Sequence, residues 1–600
     1  MKRLEWVVNK HLQYLKDPKL IADHVRATLL KDKFLEALLL TRKASRNTKV
    51  TVAWNHLIDY QMKQQRLHAS IKLYNEMKKR AQTPDALTYT IIFRGCAASM
   101  HPKVAVSEAL RIYNSMINIG TIKPNTIHFN AVLEVCSRAG DIESLFTVVK
   151  TANDGLRNPN NQSYTIIMNA LRYQAWDTKD MAPEDIRNNK KTAVARAQGI
   201  WEEVSDRWRK GRVTIDEELV CAMGRVLAEG DRVDNNSILD LLNQTMQIPN
   251  YSKTIQPVLP DPTEPTASQE SVIVVDKPAL LPPKPKAPVF SKSGSSVYAK
   301  PGNNTLSLIL TCLKNTHKTS LAPKYWDYLV KQLGVVPDKE NYLRYFKALS
   351  QGHASGKAAE AITTVPMNFL TPMLFRVAFT ACIHDNLNRN AFQNAKVIFN
   401  DMITRMRIPD ALSMRLFLNT ARSNYVAFKE TEGSDPEKNR LALGVQIVTA
   451  LDMMWNPFRL VCNRFNFPEE TTKSPQQEHE LTKERKKEML HTARRMVAAH
   501  DAVIHGSMIP KARLSQILMV RKNILLGTIQ RFTAKMSKFD KEVEGKEERW
   551  AEKQARGEKG GEEGGVDERV EVEFEKVAKK SVYKTRRSSD RLREELGVRL

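Results

Sequence analysis

The stretch that decides the fold is residues 51–85, TVAWNHLIDYQMKQQRLHASIKLYNEMKKRAQTPD. Its apolar residues recur at helical spacing in two runs, and the polar residues 64–66 separate those runs. Residues 78–80 are all basic, which suits the C-terminal end of a helix, and Pro84-Asp85 then ends the segment. The segment therefore predicts a helical hairpin. One hairpin cannot bury its apolar face alone, so the pattern requires stacked neighbours.

Two markers of this hairpin recur along the chain in phase. An aromatic residue followed by a small polar one recurs at spacings of 35, 40 and 35 residues, at Trp54-Asn55, Tyr89-Thr90, Phe129-Asn130 and Tyr164-Thr165. Proline followed by Asp or Asn recurs at spacings of 40 and 35, at Pro84-Asp85, Pro124-Asn125 and Pro159-Asn160. A period in this range predicts an all-α solenoid of stacked hairpins, with the aromatic residues in its core.

These residues resemble the pentatricopeptide repeat (PPR) family. Segments 51–85 and 126–160 have the family's 35-residue length, and 86–125 is the same unit with five extra residues, expected near 100–106. The resemblance extends more faintly over 166–250 and 303–410. It implies a PPR-type helical-hairpin solenoid, in two blocks, that binds single-stranded RNA with one base for each unit.

The rest of the 600-residue chain is organised around these repeats. A fourth unit begins at Asn161 and carries an insertion, so its second helix is expected at about 192–209. Ten prolines fall in residues 251–302, which indicates an extended or disordered linker. The pattern predicts six segments: a basic helical N-terminal flank (1–50), PPR block 1 (51–250), the Pro-rich linker (251–302), a degenerate PPR block 2 (303–460), a basic helical region (461–539) and a disordered charged tail (540–600).

The resemblance also implies which side chains read the RNA bases. Two positions in each unit do so: the polar residue after the first-helix aromatic, and the last residue of the unit. The matching pairs are Asn55 with Asp85, Thr90 with Asn125, Asn130 with Asn160, Thr165 with Asp216 and, more faintly, Ser307 with Asp338. The apolar partners that would flank the bases are Val52, Leu87 and Ile127.

By the family's pairing rule, the first four pairs imply U, A, a pyrimidine and G, from 5′ to 3′. A plainer interpretation of the same residues stays open. Asp and Asn after proline are ordinary turn and helix-capping residues, and Thr or Asn near a helix start is equally ordinary.

Charge points to a polyanionic partner. The chain has 93 Lys and Arg against 67 Asp and Glu, a net charge of +26, with a sequence pI of about 9.6. Such a balance favours nucleic acid or an anionic membrane surface. No apolar run reaches the 18 residues of a membrane-spanning helix, so we predict no membrane span. Together with the repeats, the charge makes single-stranded RNA the expected partner.

No catalytic pattern stands out. The chain lacks the P-loop, H-E-x-x-H, G-x-S-x-G and zinc-deaminase signatures, and its six cysteines form no C-x-x-C pair. Cys96 and Cys136 fall at the same phase of the repeat, which predicts a buried packing position. We therefore predict a protein that is not an enzyme, with no catalytic residues, no cofactor, no bound metal and no small-molecule substrate.

The resemblance further implies a location in the mitochondrial matrix, where fungal PPR proteins act in RNA maturation. Processing of the small-subunit rRNA 5′ end and biogenesis of the small ribosomal subunit is the nearest match, with that subunit a candidate partner. Glu5 and Asp17 depart from the pattern of an import signal. Three alternatives stay open: a factor for stability, splicing or translation of one mRNA, a PPR subunit of the mitochondrial ribosome, and a helical-repeat protein scaffold without RNA.

Overall fold

A computed structural model describes residues 2–118, 122–176, 182–253, 298–406, 408–424, 436–464, 475–506, 508–509 and 516–534. Within these ranges the regular structure is helical, with no strand, which confirms the all-α prediction. Most of the predicted linker, at 254–297, and all of the predicted tail, at 540–600, lie outside the described residues. The chain divides into two units, Met1–Pro337 and Asp338–Leu600.

The first unit is a stack of helical hairpins. Its helices are α1 (Lys2–Tyr14), α2 (Pro18–Leu29), α3 (Phe34–Ala44), α4 (Thr51–Lys63), α5 (Leu67–Lys79), α6 (Ala86–Ala97), α7 (Pro102–Asn118), α8 (Thr126–Ala139), α9 (Ile142–Val149), α10 (Asn161–Trp176), α11 (Pro183–Arg209), α12 (Glu217–Leu227), α13 (Arg232–Met246), α14 (Asn303–Asn315) and α15 (Ala322–Trp326). We call α2, α4, α6, α8, α10, α12 and α14 the first helices of their hairpins. Each first helix packs on the next, so together they form one continuous layer.

The aromatic markers form the core of this stack. Trp54 and Phe129 are completely buried, Tyr164 is 2% exposed and Tyr89 is 9% exposed. Burying one such side chain contributes about 2 kcal/mol, so the repeated aromatic residue stabilises each hairpin in turn. The Trp54 indole Nε1 also donates to the Ser45 hydroxyl at 2.9 Å, which joins α4 to the end of α3. These rings are therefore packing residues and do not offer stacking surfaces to a ligand.

The stack begins before residue 51. Helices α2 and α3 pack as a hairpin, and α2 packs on α4 in the manner of the later first helices. Arg42 on α3 forms a two-pronged ion pair with Glu76 on α5, with N···O distances of 2.8 and 2.7 Å. The segment predicted as a basic flank, 1–50, thus includes a hairpin like those that follow it.

Two departures of hairpin length have local causes. Helix α7 has 17 residues where α5 has 13, so much of the extra length of 86–125 lengthens its second helix. Helix α11 begins at Pro183 rather than near 192. Proline is well suited to the first position of a helix, and the acidic residues 184–185 in its first turn suit the N-terminal end.

The stack also continues beyond the Pro-rich segment. Helix α14 packs on α12 and α13, although residues 254–297 separate them in sequence. Gly302 stands before α14, where α6, α8 and α12 have a capping side chain. Instead, Glu217 on α12 accepts from the Thr305 backbone N–H at 2.8 Å. A carboxylate from the neighbouring hairpin thus caps α14.

The second unit starts with the same arrangement and then changes. Its helices are α16 (Lys339–Gln351), α17 (Ser355–Thr364), α18 (Pro372–His384), α19 (Ala391–Arg405), α20 (Ala411–Ser423), α21 (Pro436–Arg464), α22 (Pro475–His505) and α23 (516–534). Helices α16, α18 and α20 pack in a row, as first helices do. Helices α21 and α22 are much longer, and both pack on α20. Among the described residues, no helix is both long and apolar enough to cross a membrane.

Candidate nucleic-acid interface

The residues that end the predicted units all cap the next first helix. Each side-chain oxygen accepts a backbone N–H three residues further on: Asp85 from Thr88 at 2.7 Å, Asn125 from His128 at 3.0 Å, Asn160 from Ser163 at 3.0 Å, Asp216 from Leu219 at 2.9 Å and Asp338 from Asn341 at 2.7 Å. A helix start leaves such donors without a partner, and a cap of this kind contributes about 1 kcal/mol. These residues therefore act as helix caps, and the following contacts show which other side chains they bind.

Asn55 is held by the cap of the following hairpin. Its Nδ2 donates to Asp85 Oδ1 at 3.1 Å, and its Oδ1 accepts from the Thr88 hydroxyl at 2.7 Å. Asn55 is only 2% exposed. Both ends of the amide therefore have a protein partner, which fixes which end is the donor and which the acceptor.

The same arrangement recurs 75 residues later. Asn130 Nδ2 donates to Asn160 Oδ1 at 3.1 Å, and Asn130 Oδ1 accepts from the Ser163 hydroxyl. Asn130 is 6% exposed. The structure thus brings together two of the predicted reading pairs, with the same donor, acceptor and hydroxyl in the same places.

The two threonine pairs are arranged differently. The Thr90 hydroxyl donates to the Ala86 carbonyl and the Thr165 hydroxyl to the Asn161 carbonyl, both at 2.9 Å and within their own helices. A threonine side chain on a helix commonly makes this bond, and it leaves no contact with the cap of the next hairpin. Neither Thr90 with Asn125 nor Thr165 with Asp216 is joined by a hydrogen bond.

Asp216 has another partner, which the sequence did not single out. Asn161, the first residue of α10, donates from Nδ2 to Asp216 Oδ2 at 2.6 Å. The signal of Asn161 in the sequence is a polar residue four positions before Thr165, outside the marker of an aromatic residue followed by a small polar one. In the faint pair, Ser307 is the fifth residue of α14 and Asp338 caps α16, so the two belong to different units.

The three predicted apolar partners form a row on the surface. Val52, Leu87 and Ile127 are the second residues of α4, α6 and α8, and they are 48%, 53% and 58% exposed. Second and fifth residues of a helix lie on one face, so each aliphatic side chain flanks a reading residue. Single exposed apolar residues are common in proteins, but here they keep one register over three consecutive hairpins.

The second unit holds a pair in the same place with different chemistry. Arg376 is the fifth residue of α18, and Asp410 caps α20 by accepting from the Ser413 N–H at 2.9 Å. Arg376 Nε donates to Asp410 Oδ2 and Nη2 to Oδ1, both at 2.8 Å. The pair was missed because a small polar residue was required after the aromatic one, and here Arg376 follows Phe375.

Electrostatics hold this pair ionised. Burial works to raise the pKa of Asp410, but the hydrogen bonds and charge of Arg376, together with Ser413, outweigh it and keep that pKa below its usual range. The next first helix of the second unit also has an arginine at its fifth position. This residue of α20, Arg415, forms an ion pair with Glu488 on α22, with an Nη2···Oε2 distance of 3.0 Å. The fifth residues are thus neutral in α4 and α8 of the first unit and ionic in α18 and α20 of the second unit.

The side chains that could ligate a metal ion lie apart from the fifth residues of the first helices. Burial raises the pKa of the Cys96 and Cys136 thiols to about 12, which works against the thiolate that a metal needs. Within the described part of the chain, one group offers ligand atoms to a metal ion: those of His11, His24 and Glu36 lie within 4.8 Å of one another. This group belongs to helices α1 to α3 and contains none of those fifth residues.

Comparisons with known proteins agree with this architecture. Residues 49–98 match a model of the PPR repeat family, and residues 111–172 match a model of the pentatricopeptide repeat domain. A protein of Schizosaccharomyces pombe, the mitochondrial pentatricopeptide repeat-containing protein 2, is 22% identical over 401 residues, covering 65% of this chain and 81% of the relative. A mitochondrial pentatricopeptide repeat-containing protein of Arabidopsis thaliana is 28% identical over 102 residues, covering 17% of this chain and 14% of its own length.

Among solved structures, the chain matches the pentatricopeptide repeat protein PPR10 in complex with an 18-nt psaJ RNA element. The TM-score is 0.29 at 11% identity, and the match covers 87% of this chain and 80% of the other. A crystal structure of the pentatricopeptide repeat protein PPR10 from maize matches with a TM-score of 0.21 at 15% identity, covering 86% of this chain and 85% of the other.

Proposed function

Because this chain is a pentatricopeptide repeat protein, we propose that it binds single-stranded RNA through the exposed face of its first helices and selects the sequence that it binds. One observation carries the proposal: Asn55 with Asp85 and Asn130 with Asn160 each present a fixed amide in the same position beside the residue that caps the next first helix. Two unrelated capping needs would not also require an asparagine at the fifth position of each helix. We assign the protein no catalytic role.

The pair of Asn55 and Asp85 keeps hydrogen-bonding capacity for a ligand, whereas Asn130 Nδ2 also donates to Gln162 Oε1 at 3.4 Å. The Asn55 Nδ2 group has two hydrogens and uses one on Asp85, and Asp85 Oδ2 makes no hydrogen bond to any described residue. A base edge presents donors and acceptors in a fixed order, so a fixed amide beside a carboxylate discriminates between bases. Val52 and Ile127 lie beside the two amides and offer aliphatic surface to the base rings.

Charge supports the same ligand. A net charge of +26 attracts the phosphate backbone, and each phosphate that a lysine or arginine neutralises steepens the salt dependence of binding. A protein scaffold without RNA would not need this excess. Affinity for RNA that falls steeply between low and physiological salt is therefore the expected behaviour.

For the biological role, we propose RNA maturation in mitochondria, with the precursor of the small-subunit rRNA as the bound RNA. The support is the family and the mitochondrial relative from fission yeast. The protein would act by position: it covers a short tract, keeps it unfolded, and sets the end at which a nuclease stops. Such a factor leaves the small ribosomal subunit once processing is complete.

Crosslinking in mitochondria followed by sequencing of the bound RNA tests the proposal. The test variant is Asn55→Ala with Asp85→Ala. The matched control is Asp141→Ala, which removes a cap of the same kind, since Asp141 accepts from the Ser144 N–H at 3.0 Å at the start of the second helix α9. We expect a sharp peak near the 5′ end of small-subunit rRNA that the test variant weakens and the control keeps.

Other outcomes separate the rival roles. A sharp peak on one mRNA retains the RNA-binding proposal and replaces the rRNA role. Crosslinks across mature small-subunit rRNA that persist at high salt indicate a resident ribosomal subunit. Crosslinks that are diffuse and identical in all three proteins contradict sequence selection by the asparagine pairs.

A further inference from the structure

Arg376 stands in the second unit where Asn55 stands in the first. Both are fifth residues of a first helix that packs on the next one, and both donate to the residue that caps that next helix. The difference is the chemistry offered to a ligand. Asn55 offers a small amide, whereas Arg376 offers the rigid fork of a guanidinium group.

Asp410 holds the plane of that guanidinium. Two hydrogen bonds of 2.8 Å join Nε and Nη2 to the two carboxylate oxygens, and the Ser413 backbone N–H and hydroxyl fix the carboxylate at 2.9 and 2.8 Å. These contacts use one side of the fork. The Nη1 group hydrogen-bonds no described residue, and the Arg376 side chain is 29% exposed. The remaining edge, formed by Nη1 and the second hydrogen of Nη2, presents two parallel donors.

The charges around this edge favour a neutral ligand. Arg376 is neutralised by Asp410, and Arg415 by Glu488, which also lies near enough to act on Arg376 electrostatically. The cluster therefore has two cations and two anions. A phosphate would gain little from it and would approach two carboxylates, whereas a neutral base edge meets no such penalty.

Two parallel donors match two coplanar acceptors on a base. Guanine offers O6 and N7 on one edge, at a spacing that an arginine fork fits, and this is the commonest specific contact of arginine with a base. We propose that Arg376, held in plane by Asp410, binds the O6/N7 edge of a guanine in the RNA. This inference rests on the proposed function, because it assumes that the first helices face RNA.

Selection of bound sequences from a random RNA pool tests it with the full-length protein. The variants are Arg376→Lys, which keeps the charge and loses the fork, and Arg405→Lys as the matched control. Arg405 also forms an ion pair with an aspartate, Asp401, with an Nη1···Oδ2 distance of 3.2 Å. Both residues lie on α19, which belongs to the same unit but is the second helix of its hairpin. We expect a guanine enriched by the wild type and by Arg405→Lys, and lost in Arg376→Lys.

A change in the RNA keeps the test decisive if a variant fails to fold. Each enriched guanine is replaced in turn by 7-deazaguanine, which lacks the N7 acceptor, and affinity for the wild-type protein is measured. One replacement should weaken binding about tenfold, the scale of one good bidentate contact. Wild-type selection without an enriched guanine, or affinity unchanged by every replacement, overturns the inference.

The outcomes also separate this inference from the proposed function. If the wild type selects a sequence, and Asn55→Ala alters it while Arg376→Lys and the deaza bases do not, RNA reading stands and the role of Arg376 falls. If the wild type selects no sequence at all, both fall. An enriched base other than guanine that is lost in Arg376→Lys overturns the assignment to guanine.

Discussion

The two units place different residues on the same scaffold position. In both, an aspartate caps the first helix that follows, as Asp85 caps α6 and Asp410 caps α20. The fifth residue of the preceding first helix differs: it is the buried Asn55 in one unit and the charged Arg376 in the other. The capping residue accepts a backbone N–H that has no partner within its helix, so its residue type is constrained. The fifth residue answers no such need, and it is free to carry specificity.

The energetic consequences differ as well. A neutral hydrogen bond such as that between Asn130 and Asn160 in the first unit contributes about 1 kcal/mol net. Removing one partner of a buried ion pair costs about 3–5 kcal/mol, because the other charge is left without compensation. Arg376 is 29% exposed, so water screens it in part and the lower end of that range applies. Equivalent changes in the two units should therefore have unequal effects on stability.

The largest expected effect is that of Asp410→Ala. It leaves the Arg376 guanidinium without its partner and removes the cap of α20, so we expect a loss of about 3 kcal/mol in the second unit. Hydrogen exchange followed by mass spectrometry measures this locally. Peptides from α18 and α20 should exchange faster and peptides from α4 and α6 should not. Asp410→Asn retains a cap but loses the carboxylate charge, so it should lose nearly as much stability as Asp410→Ala. A loss confined to Asp410→Ala would show that the cap matters and would contradict the ion-pair account.

The second largest effect should be a loss of stability in acid that is confined to the second unit. The pKa of Asp410 is held below its usual value, so its contribution to stability is complete above the unfolded value of about 4 and is lost as pH falls through the lowered pKa. Exchange in α18 and α20, measured relative to the intrinsic amide exchange rate at each pH, should therefore rise on acidification below about pH 4. In Arg376→Met the remaining hydrogen bonds to Ser413 should hold the pKa less strongly, so the rise should begin at higher pH. A rise that begins at the same pH in both proteins would show that Arg376 does not set it.

A hairpin or cap of this fold can be predicted from the sequence when the residues that form it are close together along the chain. The hairpins over 51–165 were predicted because the aromatic residue and the Pro-Asp or Pro-Asn ending are local signals that fix packing and capping. The hairpin of α2 and α3 was missed because Val50, which makes no side-chain cap, stands before α4. The capping box of α6 is formed by Asp85 and Thr88, which are three residues apart and can be recognised in the sequence. The cap of α14, which begins after Gly302, comes instead from Glu217, far away in sequence.

The pairing of site residues was harder to predict, for a physical reason. Whether a fifth residue reaches the next cap depends on side-chain length and on competition with its own helix. The amide of Asn130 extends far enough to contact Asn160, whereas the Thr90 hydroxyl is taken by the Ala86 carbonyl. Both satisfy the same sequence pattern. The length of the side chain and the competing carbonyl of its own helix decide between the two results.

A substitution within the first unit sharpens the comparison at smaller cost. Asp85→Asn keeps the cap and turns the Asn55 pair into a copy of the pair of Asn130 and Asn160. Stability should change by no more than about 0.5 kcal/mol, since Asp and Asn are similar caps. By the family's pairing rule, selection at that base should relax from U to either pyrimidine. Sequencing of selected RNA measures the change, and an unaltered preference for U would show that Asp85 does not contact the base.

The smallest effect should come from Thr90→Ala. The Thr90 hydroxyl bonds its own helix carbonyl and is partly exposed, so its loss should change stability by about 0.5 kcal/mol or less. Asn130→Ala is the matched comparison. It removes the hydrogen bonds of a buried amide to Asn160 and to the Ser163 hydroxyl, although those two residues keep their bonds to each other, and should cost about 1–3 kcal/mol. Urea unfolding of α6 and α8, followed by hydrogen exchange, measures both. If Thr90→Ala proves as costly as Asn130→Ala, the hydroxyl has a structural partner in solution, and the contrast between amide and hydroxyl units fails.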